Sequence, residues 1–226
     1  MGNFNVNQAG MKTRIMPRFL MLALVCGSGL MLTGRVTAQP ATPGYALQLD
    51  GSTGYVTTFE TFSDPQSFTV SIWFKTTTTQ GGKLVGYGDA STGPSGNYDR
   101  NLYMDNQGHI VFGVNPGTIE VISNTVPCND GNWHQAVGTL SAVTGLSLYI
   151  DGVLVSNNPA FNAAQNFDGV WKIGYDNLNN WPDLPASYFF NGTVDEVQIW
   201  GTALSAGDIA ANFHRFLAVP VVLKIF

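Results

Sequence analysis

Phe68-Thr-Val-Ser-Ile-Trp-Phe-Lys75 is the stretch whose reading decides the fold. Its side chains alternate: Phe68, Val70, Ile72 and Phe74 fall on one face, and Thr69, Ser71, Trp73 and Lys75 on the other. A strand with one buried face has this period of two. Outward from it, similar short runs recur at intervals of about ten residues, separated by turn residues, a spacing typical of stacked-sheet proteins. Two hairpins stand out. Leu102–Met104 and Ile110–Val114 flank Asp105-Asn-Gln-Gly108, and Leu146–Ile150 and Val153–Val155 flank Asp151-Gly152, a strong two-residue turn signal. Further strands are predicted at Tyr45–Leu49, Tyr55–Thr57, Leu84–Tyr87, Thr118–Ser123, Trp133–Leu140, Val170–Gly174 and Tyr188–Trp200. One helix is predicted, from Ser205 to about Phe213, opened by the capping box Ser205-Ala-Gly-Asp208. So many antiparallel strands bury their apolar faces most simply as two stacked sheets, giving an all-β sandwich with one short C-terminal helix.

Composition agrees. The chain has 226 residues, enough for one substantial core, and only 11% are charged, while 26 are glycine. Such a chain is poor in the long charged side chains that coat helices.

Residues 11–38 have the parts of a secretory leader: basic Lys12, Arg14 and Arg18, an apolar run from Phe19 to Leu32, then Val36-Thr37-Ala38. Cleavage is expected after Ala38, and the product is expected outside the cytoplasm, secreted or periplasmic. Gly27, Ser28 and Gly29 interrupt an apolar run already shorter than the ~20 residues a bilayer span needs, so no membrane span is expected in the mature chain. Cys26 lacks the small preceding residue that lipidation calls for, and residues 1–10 carry no reading of the fold. Loss of residues 1–38 removes four of the ten basic residues and none of the fifteen acidic ones, leaving six against fifteen, a net charge of −9. That balance, without any basic cluster downstream, excludes nucleic acid as a partner. Cys128 is then the only cysteine, so no internal disulfide can form.

Three segments, in order, carry a family resemblance. They are Leu47-Gln-Leu-Asp-Gly-Ser-Thr-Gly-Tyr-Val56; Asp130-Gly-Asn-Trp-His-Gln-Ala-Val137 with Leu146-Ser-Leu-Tyr-Ile-Asp-Gly152; and Phe190-Asn-Gly-Thr-Val-Asp-Glu-Val-Gln-Ile-Trp200 leading into Ala203-Leu-Ser-Ala-Gly-Asp-Ile209. Together they resemble the laminin-G-like jelly roll of the concanavalin A-like lectin/glucanase superfamily. The resemblance spans residues 44–216, after a short linker at 39–43, and leaves an apolar tail at 217–226. It implies two face-to-face sheets with binding loops at one edge, in a family that binds sugars and proteins and also includes hydrolases.

Glucanases of that superfamily set paired carboxylates at alternating positions of one strand, because acid and nucleophile must flank one glycosidic bond. The three glutamates, Glu60, Glu120 and Glu196, stand in no such pattern, and Asp195 and Glu196 are adjacent, so a regular strand would point them apart. Cys128, His109, His134 and His214 form no nucleophile or zinc spacing. No catalytic residue and no organic cofactor are therefore expected. The resemblance implies one metal. If Val197 and Ile199 face the core, parity places Asp195 there too, and Ca²⁺ between Asp195 and carbonyls near Asp50 and Gly54 would satisfy it; backbone N–H groups are the alternative partners.

Two polar segments that include aromatics read as ligand loops: Gly86 to Asn101, containing Tyr98, and Asp176 to Ser187, containing Trp181 and Asp183. Sugars stack on aromatic rings and bond to amides and carboxylates, which makes Trp181, Asp183 and Tyr98 the candidate binding residues. Trp73, on the outward face of its strand, is a further candidate platform, or else packs beneath a crossing segment. The expected function is recognition of carbohydrate or of matrix and cell-surface glycans without catalysis. The alternatives are a protein-binding adhesion or envelope-assembly protein, and a hydrolase whose carboxylates come from separate loops.

Overall fold

The computed structural model describes residues 4–6 and 46–217. In chain order its elements are β1 (Phe4–Val6), β2 (Leu47–Asp50), β3 (Val56–Thr58), β4 (Phe68–Lys75), β5 (Gly82–Gly88), β6 (Tyr98–Met104), β7 (Ile110–Val114), β8 (Glu120–Ser123), β9 (Trp133–Ser141), β10 (Gly145–Ile150), β11 (Val153–Asn158), β12 (Val170–Ile173), β13 (Asn191–Trp200) and α1 (Ala206–Leu217). They form two antiparallel sheets. The first runs β1-β3-β12-β5-β6-β7-β8 and the second β11-β10-β9-β4-β13-β2. This is the all-β jelly-roll sandwich that the alternation in Phe68–Lys75 predicts. The leader, its cleavage site after Ala38, Cys26, the linker at 39–43 and residues 218–226 lie outside the described residues.

The inner faces meet as the pattern requires. Phe68, Val70, Ile72 and Phe74 of β4 interlock with Phe112, Trp171, Leu102, Leu148 and Val194 in one core, Phe68 meeting Phe112 edge-on and Trp171 at a tilt. Asp151 and Gly152 both take positive φ, 51° and 78°, as a two-residue hairpin turn demands. Ser205 caps α1, its hydroxyl accepting from Asp208 N at 3.2 Å and donating to the Asp208 carboxylate at 2.6 Å.

Several elements differ from expectation, each for a physical reason. Every residue of β4 except Lys75 is buried, because α1 lies across the outer face of that sheet and Ile209 packs there on Val137 and Tyr149. α1 runs one turn past Phe213, to Leu217. Asn191-Gly192 is the start of β13, paired with Asp50 and Leu49, and not a turn; glycine is needed there because a Cβ would sit 2.7 Å from the Lys75 carbonyl. The segment 86–101 begins and ends in strand, at 86–88 of β5 and 98–101 of β6, leaving residues 89–97 as the loop. Phe4–Val6 pairs antiparallel with Val56–Thr58, so these three of the first ten residues do take part in the fold; cleavage after Ala38 would detach β1 and leave β3 at the sheet edge. Among the described residues no helix is long and apolar enough to cross a membrane.

Candidate functional site

The outer face of the first sheet is roofed by residues 89–97 and 175–190, and the residues that hold the roof down are mostly charged and buried. Lys83 of β5 and Lys172 of β12 are completely enclosed. The Lys83 ammonium donates to the Asn177 carbonyl at 2.9 Å, and Lys172 donates to the Gly93 carbonyl and to Asp176 Oδ1 at 3.2 Å. That Asp176 oxygen also accepts from Ser95 N at 2.8 Å, so one buried ion pair binds both loops to the sheet. Burial pushes the Lys83 amine down to about 7, Lys172 adds to the effect and Asp176 opposes it. Room for these side chains comes from Gly86 and Gly88, where a Cβ would lie 2.6 Å from Asn101 Oδ1 and 2.4 Å from Asp176 Oδ2.

At one rim of this roof is a pocket of about 180 Å³. Its walls are Gly96, Asn97 and Tyr98 at the start of β6, Asn115 and Ile119 between β7 and β8, Gln165 before β12, and Asn179, Asn180 and Trp181 after it. The wall residues are fixed from behind by two carboxylates. Asp89 accepts from Gly96 N, Asn97 N and Asn97 Nδ2, each at 2.8 Å. Asp99, fully buried, accepts from Asn115 N at 2.7 Å and from Gln165 N at 2.6 Å. Its counter-ion Arg100, at φ 51°, bonds Asp99 at 3.3 Å, Asp64 at 2.8 Å and the Pro65 and Gln165 carbonyls, and its guanidinium lies 4.7 Å from the Tyr87 ring centre. Burial pushes the Asp99 carboxyl up against the opposing pull of Arg100 and three backbone N–H groups. On the far wall, Tyr98 OH donates to the Asn179 carbonyl at 3.1 Å and Tyr188 OH to Asn179 Oδ1 at 2.8 Å.

Chemically the pocket is uncharged. Five carboxamides and one phenol ring line it, and no carboxylate does. Among the described residues, the Asn180 amide and the Asn115 and Asn179 amide nitrogens take no protein partner, so they are available to a ligand rich in hydroxyl groups.

Of the candidate residues, Tyr98 and Trp181 are brought together here and the others are not. Trp181 is only 3% exposed: it meets Tyr103 at 90° with 6.1 Å between ring centres, and is buried where an open platform was expected. Asp183 is exposed on the roof at φ 51° and does not line the pocket. Trp73 lies on the other sheet, 7% exposed, stacked on Phe213 of α1 at 5.4 Å and 5°; it packs beneath a crossing helix.

The expected calcium ligands do not converge. In β13 the three steps from Asp195 to Gln198 oppose the two from Trp73 to Ser71. This bulge, with Glu196 at φ 46°, breaks the parity that was to carry Asp195 inward. Asp195 therefore shares the outer face with Trp73, while Val194 and Val197 both face the core. Asp50 pairs with Asn191, four residues away along β13, about 13 Å at 3.3 Å per residue. Its Oδ1 already accepts from Ser52 N, Thr53 N and Gly54 N, and its Oδ2 from Thr53 Oγ1 at 2.6 Å. Those bonds, Thr53's first, hold the Asp50 carboxyl well below the usual carboxylate range. Asp195, Asp50 and Gly54 thus do not fit a shared ion, and among the described residues no group of three or more His, Cys, Asp or Glu is placed to hold a metal.

Asn179 and Asn180 stand in the Asp176–Ser187 segment, but Asn115 and Gln165, which come from two other connections, gave no signal in the sequence. A weaker signal was available for the frame beneath them. Lys83 and Lys172 stand alone between apolar strand residues, in Gly82-Lys-Leu-Val and Val170-Trp-Lys-Ile, in a chain with few basic residues. A lone lysine inside such a run has to find a buried acceptor.

Two apposed antiparallel sheets with loops roofing one outer face define a lectin-like jelly roll. The chain matches the concanavalin A-like lectin/glucanases superfamily over residues 50–210 and belongs to it. Comparison with curated protein sequences finds no match. Solved structures similar to it include a heptameric SAP-like pentraxin from Limulus polyphemus, at 17% identity and TM-score 0.55 over 72% of this chain and 78% of that one. The CBM40 of a Ruminococcus gnavus IT-sialidase is similar at 18% identity and TM-score 0.53, over 74% of this chain and 96% of that one. The binding domain of botulinum neurotoxin serotype G is similar at 11% identity and TM-score 0.54, over 76% of this chain but only 42% of the toxin domain. At these identities the likeness is one of fold.

Proposed function

We propose that this protein is a non-catalytic recognition module that binds carbohydrate in the rim pocket between Tyr98, Asn115 and Asn180, and that the leader at residues 11–38 directs it out of the cytoplasm. The observation that carries the reading is a wall of carboxamides held in place by Asp89 and Asp99, with unpartnered donors facing a cavity beside an aromatic ring. Carboxamides offer a donor and an acceptor on one plane, which suits neighbouring hydroxyl groups of a sugar ring, and pre-set walls lower the ordering cost of binding. Acid–base hydrolysis of a glycosidic bond needs two carboxyl groups across one bond, and this pocket's lining has none. Two of the similar structures are the CBM40 of a sialidase and the binding domain of a botulinum neurotoxin, which agrees with binding. A glycan array probed with the protein and with an Asn115→Ala/Asn180→Ala variant tests the proposal. Binding of defined glycans that the variant loses supports it; no glycan signal together with a captured envelope or matrix protein points to the adhesion alternative, and sugar release from bound glycans would establish a hydrolase.

A further inference from the structure

The free edge of the second sheet is strand β11, which pairs only with β10 among the described residues. Three consecutive residues of it are apolar and open to water: Val153 at 64%, Leu154 at 50% and Val155 at 42% exposure. Edge strands are ordinarily blunted by lysine, proline or a covering segment, because their unpaired N–H and C=O groups recruit other chains. β11 reads Val-Leu-Val-Ser-Asn-Asn and has neither lysine nor proline; its one irregularity is a bulge, three residues from Leu154 to Ser156 opposing Leu148 and Tyr149.

Helix α1 passes the head of this edge strand. Phe213 packs so close to Gly152, at the head of β11, that a Cβ on that glycine would lie 3.1 Å from it. Four residues later, about 6 Å along the axis, α1 ends at Leu217. The chain then continues as Ala218-Val-Pro-Val-Val-Leu-Lys-Ile-Phe226, nine residues of which six are Val, Leu, Ile or Phe. Extended, they reach about 30 Å, against about 20 Å for the six residues of β11. Pro220 lacks an N–H, which an edge strand tolerates and a central one does not. The head of an unpartnered apolar edge and the last turns of the helix from which a β-prone apolar segment continues thus lie near each other.

We propose that residues 218–226 dock in extended form along the free edge of β11 in the same molecule, covering Val153, Leu154 and Val155 and closing the sheet against pairing with other chains. The experiment compares backbone hydrogen exchange at residues 153–158 in the full chain and in its Val222→Asp variant, with light scattering on both. Exchange in β4, β9 and β13 serves as the folding control. The expected result is a monomer whose amides at 153–158 exchange at least about tenfold faster in the variant, with the control strands unchanged. Equal exchange in the two proteins overturns the proposal. So does protection that grows with protein concentration alongside dimer formation, which would make a second copy the occupant.

Discussion

Replacing Lys83 by methionine separates two effects that the structure places on one side chain. In the native protein the Lys83 amine is fully enclosed and its pKa is pushed down to about 7, from 10.5 in an unfolded chain. Between those values the unfolded chain carries a proton at this site that the folded protein does not. Folding is therefore opposed more strongly as pH falls from 10.5 to 7, and below 7 the penalty is constant. The 3.5-unit interval corresponds to an upper bound of about 5 kcal/mol at 1.36 kcal/mol per unit. Methionine removes that penalty but also the bond to the Asn177 carbonyl, whose loss inside the protein costs about 1–3 kcal/mol at every pH. Urea unfolding of both proteins from pH 6.5 to 10 measures the difference. The variant is expected to equal or exceed the native protein in stability near pH 7 and to fall below it near pH 10. A difference that does not change with pH would refute the buried-amine reasoning.

Other consequences follow from the same geometry. Asp99→Ala leaves Arg100 with Asp64 as its one remaining carboxylate and frees Asn115 N and Gln165 N, so urea denaturation should show a loss near the lower end of the 3–5 kcal/mol range for a broken buried ion pair, about 3 kcal/mol. Glycan binding should weaken with it, since both freed residues line the pocket. Calorimetric or melting titration of the chelated protein with millimolar Ca²⁺ should give the same response in Asp195→Asn as in the native chain, because the β13 bulge keeps Asp195 away from Asp50; a response lost only in the variant would restore the shared site.

The fold was legible because burial imposes a short-range pattern. Phe68 to Phe74 alternates, Asp151-Gly152 supplies the positive φ of its turn, and Ser205-Ala-Gly-Asp208 caps its helix, each written in fewer than ten residues. What the sequence hid depends on distant residues. Parity along β13 fails at Glu196 because one inserted residue reverses every side chain beyond it, and nothing in Val-Asp-Glu-Val announces a bulge. Trp73 is outward by parity, yet buried, because α1 returns across it some 130 residues later, from Ala206 to Leu217. The polar aromatic segments around Tyr98 and Trp181 were legible, and both residues line the pocket. Asn115 and Gln165 were not, because they reach the pocket only after Asp99 has tied their two connections to β6.

The claim on which the rest depends is that a sugar enters the rim pocket. The most direct measurement is the ¹⁵N–¹H spectrum of the side-chain amides during titration with a glycan selected on the array. Saturable shifts are expected at Asn115, Asn179 and Asn180, with Gly152 and the α1 amides unmoved. Saturable shifts elsewhere, with these three amides silent, would contradict it.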